Sequence, residues 1–301
     1  MPVMEIKKNI QSLSFTAFML GAFILSSCST SSATDADYEK ELRTFKNDRI
    51  TSLKSRSGYL NLVGLFWIEE GKSQFGSYPD NDFIFPEAFP EHFGSVTKNG
   101  DVVLFKYNEP VLLDSSKKVT EFEISLGDID HTFSWKTFQW FIHDTGNHQA
   151  IRLRDFESPI LNQPFIIPYF PMDKKWIVYG KFEPYPEMRP REISNIFGQQ
   201  IEMKSTGMVT FIYNNNEYRL ETSGEGEKLY CIFMDGTTSK ETYGGGRIIK
   251  VKGLDEIGNV YMDFNQAYNF PCAFNVFTTC PVPPPINQLK IRITAGEKAF
   301  K

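Results

Sequence analysis

From Gly58 onward the chain is a succession of short apolar runs, each stopped by Gly, Asn, Asp or Pro before a helix of ordinary length has room to form. "YLNLVGLFWI", "FGSV", "DVVLFKY", "PVLLD", "TEFEISLG", "HTFSWKTFQWFIHD" and "QAIRLRD" follow one another in this way. Short runs rich in β-branched and aromatic residues and bounded by turn formers read as strands. In "FESPILNQPFIIPYFPMDKK" the prolines 159, 164, 168 and 171 interrupt the pattern. Proline has no N–H for a ladder, so this stretch marks a boundary between two lobes. Strands resume with "WIVYGKFEPYP", "QIEMKSTGMVTFIYNNNEYRLETS", "KLYCIFMDG", "RIIKVKG", "NVYMDFN" and "QLKIRITAG". "YNNNEY" and "DEIGNV" read as hairpin turns, because Asn and Gly tolerate the positive φ of tight turns. The expected fold is mainly β: one lobe over residues 58–160 and an antiparallel β domain over 161–301.

The N-terminal segment follows different rules. Lys7 and Lys8 precede the apolar stretch Phe15 to Leu25, and the small residues Ser26 and Ser27 lead into Cys28. The stretch is too short to span a bilayer as a helix and has the order of a secretory signal, placed here over residues 1–27. Leu25-Ser26-Ser27-Cys28 resembles a bacterial lipobox, which implies cleavage before Cys28 and acylation of its thiol. Ser29 after the cysteine implies, by the rule for such lipoproteins, the outer membrane. The partner expected on this reading is the lipid bilayer, reached through acylated Cys28, and the location is the cell envelope. The plainer alternative is a buried N-terminal helix with an incidental cysteine. Residues 28–57 form a small polar tether and then a helix from Asp35 to Ser55. Thr34 is its N-cap, Asp37 stands three residues on, and Tyr38, Leu42, Phe45, Ile50 and Leu53 share a face.

Two blocks resemble a known family. "GYLNLVGLFWIEEGKSQFGSYPDNDFIFP" and "FMDGTTSKETYGGGRIIKV…DFNQAYNFPCAF…CPVPPPINQLKIRITAGEK" are similar to an uncharacterised bacterial family, domain of unknown function 1684. Phe270 stands where that family carries the first proline of its Asn-Pro-Pro-Cys motif. The resemblance implies no activity. The first block also looks like a forkhead-associated (FHA) β-sandwich, a module that binds phosphothreonine through an Arg after a glycine. Here that position is Ser77, and without a cationic fork a phosphate dianion has no partner, so the resemblance implies scaffold without phosphopeptide binding.

A net charge of −5, with Lys and Arg clustering no further than residue pairs, excludes a nucleic-acid partner. His143 and His148 flank Asp144, but "DTGN" between two strands reads as a hairpin connection rather than a metal loop. No cofactor and no metal are expected. Cys231, inside an apolar strand, reads as a buried inert thiol. Cys272 and Cys280 are close enough in sequence for a disulfide, with two buried thiols or an incomplete metal site as the alternatives. Gly244 to Gly246 lacks the ending of a phosphate loop and reads as a turn before an Arg-bearing strand.

The remaining chemistry lies in two polar stretches. One carries Asp235, Thr237, Glu241, Thr242, Tyr243 and Arg247, and the other Asp263, Asn265, Tyr268 and Asn269. If the two meet, a carboxylate could act as general acid or base while Arg247 holds an anionic substrate, as in an envelope hydrolase. The other reading makes them a buried hydrogen-bonded corner in a tethered scaffold that binds a small ligand, a glycan or an envelope protein.

Overall fold

The computed structural model describes residues 34–300. The stretch 1–27 expected to be a signal peptide, Cys28 and most of the expected polar tether lie outside the described residues. Helix α1 spans Asp35–Lys54, and Thr34 caps it as its sequence requires. The Thr34 hydroxyl accepts from the Asp37 N–H at 3.2 Å, and the Asp37 carboxylate accepts from the Thr34 backbone at 3.3 Å. Tyr38, Leu42 and Leu53 are buried, while Phe45 and Ile50 are only partly covered. Leu53 joins Leu60, Phe165 and Ile167 in a small apolar cluster against Phe274 and Phe300. No described helix is long and apolar enough to cross a membrane.

After α1 the regular elements are strands and short 3-10 turns. The first nine strands are β1 (Leu62–Ile68), β2 (Gly71–Gly76), β3 (Phe83–Ile84), β4 (Gly94–Asn99), β5 (Val102–Leu113), β6 (Lys117–Ser125), β7 (Phe133–Trp135), β8 (Phe138–Asp144) and β9 (Gln149–Asp155). They form one sheet in the order β1-β9-β8-β7-β5-β4-β2-β3, with β6 also on β5. All neighbours are antiparallel except β2 and β3. Phe66 of β1 stacks on Phe83 of β3 at 5.6 Å and on Phe85 at 5.1 Å. Strands at the two ends of the order therefore touch, and the sheet is curled round its own core in a barrel-like lobe. That core is aromatic: Phe75, Phe93, Phe105, Phe133 and Trp140 are fully enclosed, and the Trp140 indole N–H finds the Tyr107 hydroxyl at 3.2 Å. The "DTGN" stretch is the β8–β9 hairpin, with Gly146 at φ 92°.

The second lobe is built from β10 (Ile177–Ser194), β11 (Gln200–Tyr213), β12 (Asn216–Thr222), β13 (Tyr230–Phe233), β14 (Arg247–Lys250), β15 (Asn259–Asp263) and β16 (Tyr268–Asn269). A four-stranded antiparallel sheet, β12-β11-β10-β15, faces a three-stranded one, β13-β14-β16. Trp176, Val209, Phe211, Leu220, Phe233, Ile249, Met262 and Phe264 fill the space between them. Asn214 and Asn215, at φ 48° and 61°, make the β11–β12 turn that "YNNNEY" called for.

Two strand expectations are corrected. β10 does not stop at "KFEPYP" but continues to Ser194 through a bulge, where the register jumps between Pro184 and Arg189. A bulge is where a strand accommodates proline, whose missing N–H then breaks no ladder. "QLKIRITAG" is not a strand. Its apolar alternation is genuine, with Leu289, Ile293 and Ala295 buried. Its backbone groups, however, are taken by side chains and by isolated bonds to the 234–236 loop instead of by a neighbouring ladder.

The disulfide loop joins the lobes. Cys272 and Cys280 are bonded to each other. Between them Asn275 Nδ2 donates to the carbonyls of Tyr59 and Leu62 at 3.0 and 2.8 Å, and Thr279 Oγ1 accepts from Arg152 of β9 at 3.1 Å. The His143 ring nitrogen Nε2 lies 2.7 Å from the same hydroxyl. Because Arg152 only donates, the Thr279 hydrogen is left for His143, which is held neutral. Burial first, and the Arg152 charge second, push its pKa down to about 4.

Candidate functional site

The polar residues singled out by sequence do not form one site. All but Glu241 and Tyr243 fall into three networks, two of which tie α1 to the second lobe.

Asp235 and Arg247 form the first. Arg247 opens β14 after a turn closed by Gly246, whose φ of 89° and close approach to the Phe233 carbonyl leave no room for a Cβ. The guanidinium is 1% exposed and its Asp235 partner 0%. Arg247 donates to the carbonyls of Ala295 and Ile293 and to Asp235 Oδ1. Asp235 also accepts from the Thr237 hydroxyl at 2.7 Å and the Ile293 N–H at 2.6 Å. Thr242 Oγ1 lies 3.1 Å from Thr237 Oγ1. Burial pushes the Arg247 pKa down, opposed by Asp235. These groups fix the path of residues 291–295 and are closed to solvent. Glu241 points elsewhere, to Arg292 at 2.6 Å in the half-open surface. Tyr243 packs on the apolar cluster of Ile193, Ile232 and Phe270, and burial raises its pKa.

Asp263 and Asn265 form the second network, bonded to α1 and not to Arg247. The Tyr38 hydroxyl of α1 donates to Asp263 Oδ2 at 2.8 Å and accepts from Asn265 Nδ2 at 3.0 Å. Asp263 Oδ1 caps the Asn265 N–H at 3.0 Å, and Gln266 Nε2 reaches both Asp263 and Glu41. Burial and the Asp263 charge raise the Tyr38 pKa well above the usual phenol value.

Tyr268 and Asn269 belong to a third network centred on Glu297. Its buried carboxylate accepts from Arg49 Nε at 3.1 Å, the Tyr169 hydroxyl at 3.2 Å and the Asn269 N–H at 2.7 Å. Arg49 also donates to the Asn269 carbonyl at 2.7 Å and lies over the Tyr268 ring at 4.6 Å. Burial raises the Glu297 carboxyl against the pull of Arg49. Each of the two α1 networks uses backbone of an irregular loop as partner. Among the described residues no group of three or more His, Cys, Asp and Glu is arranged to hold a metal.

A different place in the second lobe has the features of a binding site. A cavity of about 640 Å³ lies between the outer face of the four-stranded sheet and the proline run 283–285. Glu221 sits on β12 beside Leu220, and alternation puts the two on opposite faces, Leu220 into the core and Glu221 toward the cavity. Asn287 closes the open edge of β12 like a ladder strand. Its Oδ1 accepts from the Glu221 N–H at 2.7 Å, and its Nδ2 donates to the Glu221 and Ile232 carbonyls at 2.9 and 2.8 Å. The β10 bulge aims Tyr185 back at the same residue. Glu221 Oε1 accepts from the Tyr185 hydroxyl at 3.0 Å and from Arg191 at 2.7 and 3.1 Å. Glu221 Oε2 is buried and has no hydrogen-bond partner in the protein. Burial alone would raise the carboxyl; Arg191, Tyr185 and the Ser205 hydroxyl outweigh it and hold the group below the ordinary glutamate value. The Glu221 side chain is 1% exposed, whereas Arg191 is 44% exposed.

Sequence reading missed this site. Alternation alone sends Glu221 of "YRLETS" to solvent, and only its long-range cover, the proline run and Asn287, buries it. "PPP" itself was the one visible signal, an extended segment able to wall a groove.

Residues 165–298, most of the second lobe, match the model of a family described as "Protein of unknown function (DUF1684)". No curated protein matches the chain. Among solved structures, an uncharacterized protein of Haloarcula marismortui is similar at 24% identity over 47% of this chain and 80% of its own, with a TM-score of 0.39. An FHA domain, that of FhaA in complex with the intracellular domain of Rv3910, is similar at 14% identity over 30% of this chain and 97% of its own, with a TM-score of 0.21. Neither likeness is close enough to add to the fold described above.

Proposed function

We propose that the protein is a lipoprotein tethered to the outer membrane through Cys28, and that its β body, a domain over 58–160 followed by one over 161–301, binds a ligand rather than catalysing a reaction. The carrying observation is the closure of the Asp235–Arg247 pair. With the guanidinium 1% exposed and bonded to Asp235 and two backbone carbonyls, it is closed off from a substrate anion. Asp263 belongs to the α1 network and does not join Asp235 there for proton transfer. The hydrolase reading of these loops therefore loses its geometry. Binding falls instead to the cavity beside Glu221, whose size suits a small molecule. The tether itself rests on the sequence order at Cys28.

The test uses the full chain expressed in a lipoprotein-processing bacterial host. Detergent-phase partition should carry the wild-type protein into the membrane phase and leave Cys28→Ser in the aqueous phase. Equal partition of the two would refute the tether. For the body, Arg247→Lys should lower the melting temperature. Loss of ester or glycoside turnover in that variant at unchanged melting temperature would instead make the Arg247 loop a catalytic site.

A further inference from the structure

We infer that the cavity beside the proline run takes a short extended peptide, added as a strand to the free edge of β10 at Glu192. The inference rests on the binding reading above and names its ligand class. Three observations carry it.

The first is an interrupted ladder. Along the edge of β10 away from β11, the Val282 N–H donates to the Ser194 carbonyl at 2.8 Å and the Ile196 N–H to the Cys280 carbonyl at 3.0 Å, with Asn195 and Pro281 bridged between them. Toward the other end of that edge, β15 covers only Ile177–Lys181. The backbone groups of a strand alternate between its two edges, so Glu192, two residues before Ser194, turns its N–H and carbonyl the same way as Ser194. No hydrogen bond among the described residues takes them up. A strand edge with an unmet donor and an unmet acceptor is a template for a further strand.

The second is the reason the slot stays open. After Val282 come Pro283, Pro284 and Pro285, which have no N–H to offer the Glu192 carbonyl and hold the chain extended. The ladder stops there, and the cavity of about 640 Å³ opens between Glu192 and this run. The third is the lining. Glu192 is exposed, and Met208, Val282, Pro283, Pro284 and Ile286 offer apolar surface to the side chains of an inserted strand. Main-chain pairing for affinity, with surface for alternate side chains, is how a sheet edge recognises an added strand.

The probe is acetyl-Val-Ala-Val-dimethylamide, with the same peptide N-methylated at every residue as control, titrated into the full chain. Amide resonances of Ser194, Ile286 and Gln288 are followed by NMR. The peptide should shift them saturably, with a Kd at least tenfold below that of the control, which has no N–H to donate. Glu192→Pro removes the Glu192 donor at a position where a strand tolerates proline, because that N–H faces out of the sheet, and should weaken the peptide at least tenfold. Glu192→Ala keeps both backbone groups and should bind as the wild type does. The comparison of the two peptides is made on the wild type, so it decides even where the proline variant does not fold. Equal affinity for the two peptides, undiminished binding in a folded Glu192→Pro, loss of binding in Glu192→Ala, or no shifts with either peptide would each overturn strand addition. Saturable and equal shifts with both peptides would leave the cavity a binding site, so failure of strand addition is distinguishable from failure of the binding reading.

Discussion

Replacing Arg247 by Ala tests whether the Asp235–Arg247 pair holds the end of the chain. The substitution strands three acceptors at once: the Ile293 and Ala295 carbonyls and Asp235 Oδ1, all buried. Asp235 keeps the Thr237 hydroxyl and the Ile293 N–H, but it loses its counter-charge in a place that water does not reach. Breaking a buried pair from one side costs about 3 to 5 kcal/mol, because the remaining charge stays desolvated. With a urea slope of about 2 kcal/mol/M, the unfolding midpoint of the second lobe should fall by roughly 2 M. Trp176 belongs to that core, whereas Trp67, Trp135 and Trp140 belong to the first lobe, so retaining Trp176 as the sole tryptophan isolates the signal. The double variant Asp235→Asn, Arg247→Met removes both charges and should lose less than Arg247→Ala alone. A loss below about 1 kcal/mol for Arg247→Ala, or a double variant worse than the sum of its parts, would refute the claim that the pair organises residues 291–295.

Two further perturbations address the joint between the lobes. Burial and the Arg152 charge push the His143 pKa down to about 4 in the fold, against about 6.5 for a free histidine. As pH falls through that window the unfolded chain takes up the proton first, so stability is complete above the unfolded value and declines toward the folded one. Discounted for partial exposure, the decline is about 1 to 2 kcal/mol. His143→Gln should flatten that limb of the wild-type minus variant curve, and an identical pH profile would count against the neutral His143–Thr279 contact. Cys272→Ser with Cys280→Ser should lower stability by about 2 kcal/mol for so short a loop. It should also speed amide exchange in β1 and β9, which the loop clasps through Asn275 and Thr279. Unchanged exchange there would mean that the loop keeps its place without the bond.

The parts legible in the sequence share one property: neighbours along the chain decide them. Thr34 and Asp37 cap α1 because the cap needs only residues three apart. Asn214 and Asn215 turn β11 into β12 because their short side chains tolerate a left-handed backbone. Gly246 ends its loop for a related reason, at a φ of 89° that favours glycine. Which residues of the two polar stretches meet was left open by their spacing. Asp263 and Arg247 lie close in sequence, yet the hydroxyl that satisfies Asp263 comes from Tyr38 at the other end of the chain. Similarly, "QLKIRI" has strand alternation but no strand, because Asp235 and Arg247 take up the backbone groups that a ladder would need.

The sequence by itself determined that this is a mainly β protein with one N-terminal helix, since apolar period, caps and turn residues act over a few residues. Tertiary structure alone decided which buried charges meet and which carboxylate faces a cavity. Pairing across the fold depends on where distant backbone arrives, and residue spacing carries no record of that. Glu221 is the clearest instance: its burial comes from a proline run and an asparagine sixty-odd residues away, and the same strand without that cover would present an ordinary surface glutamate.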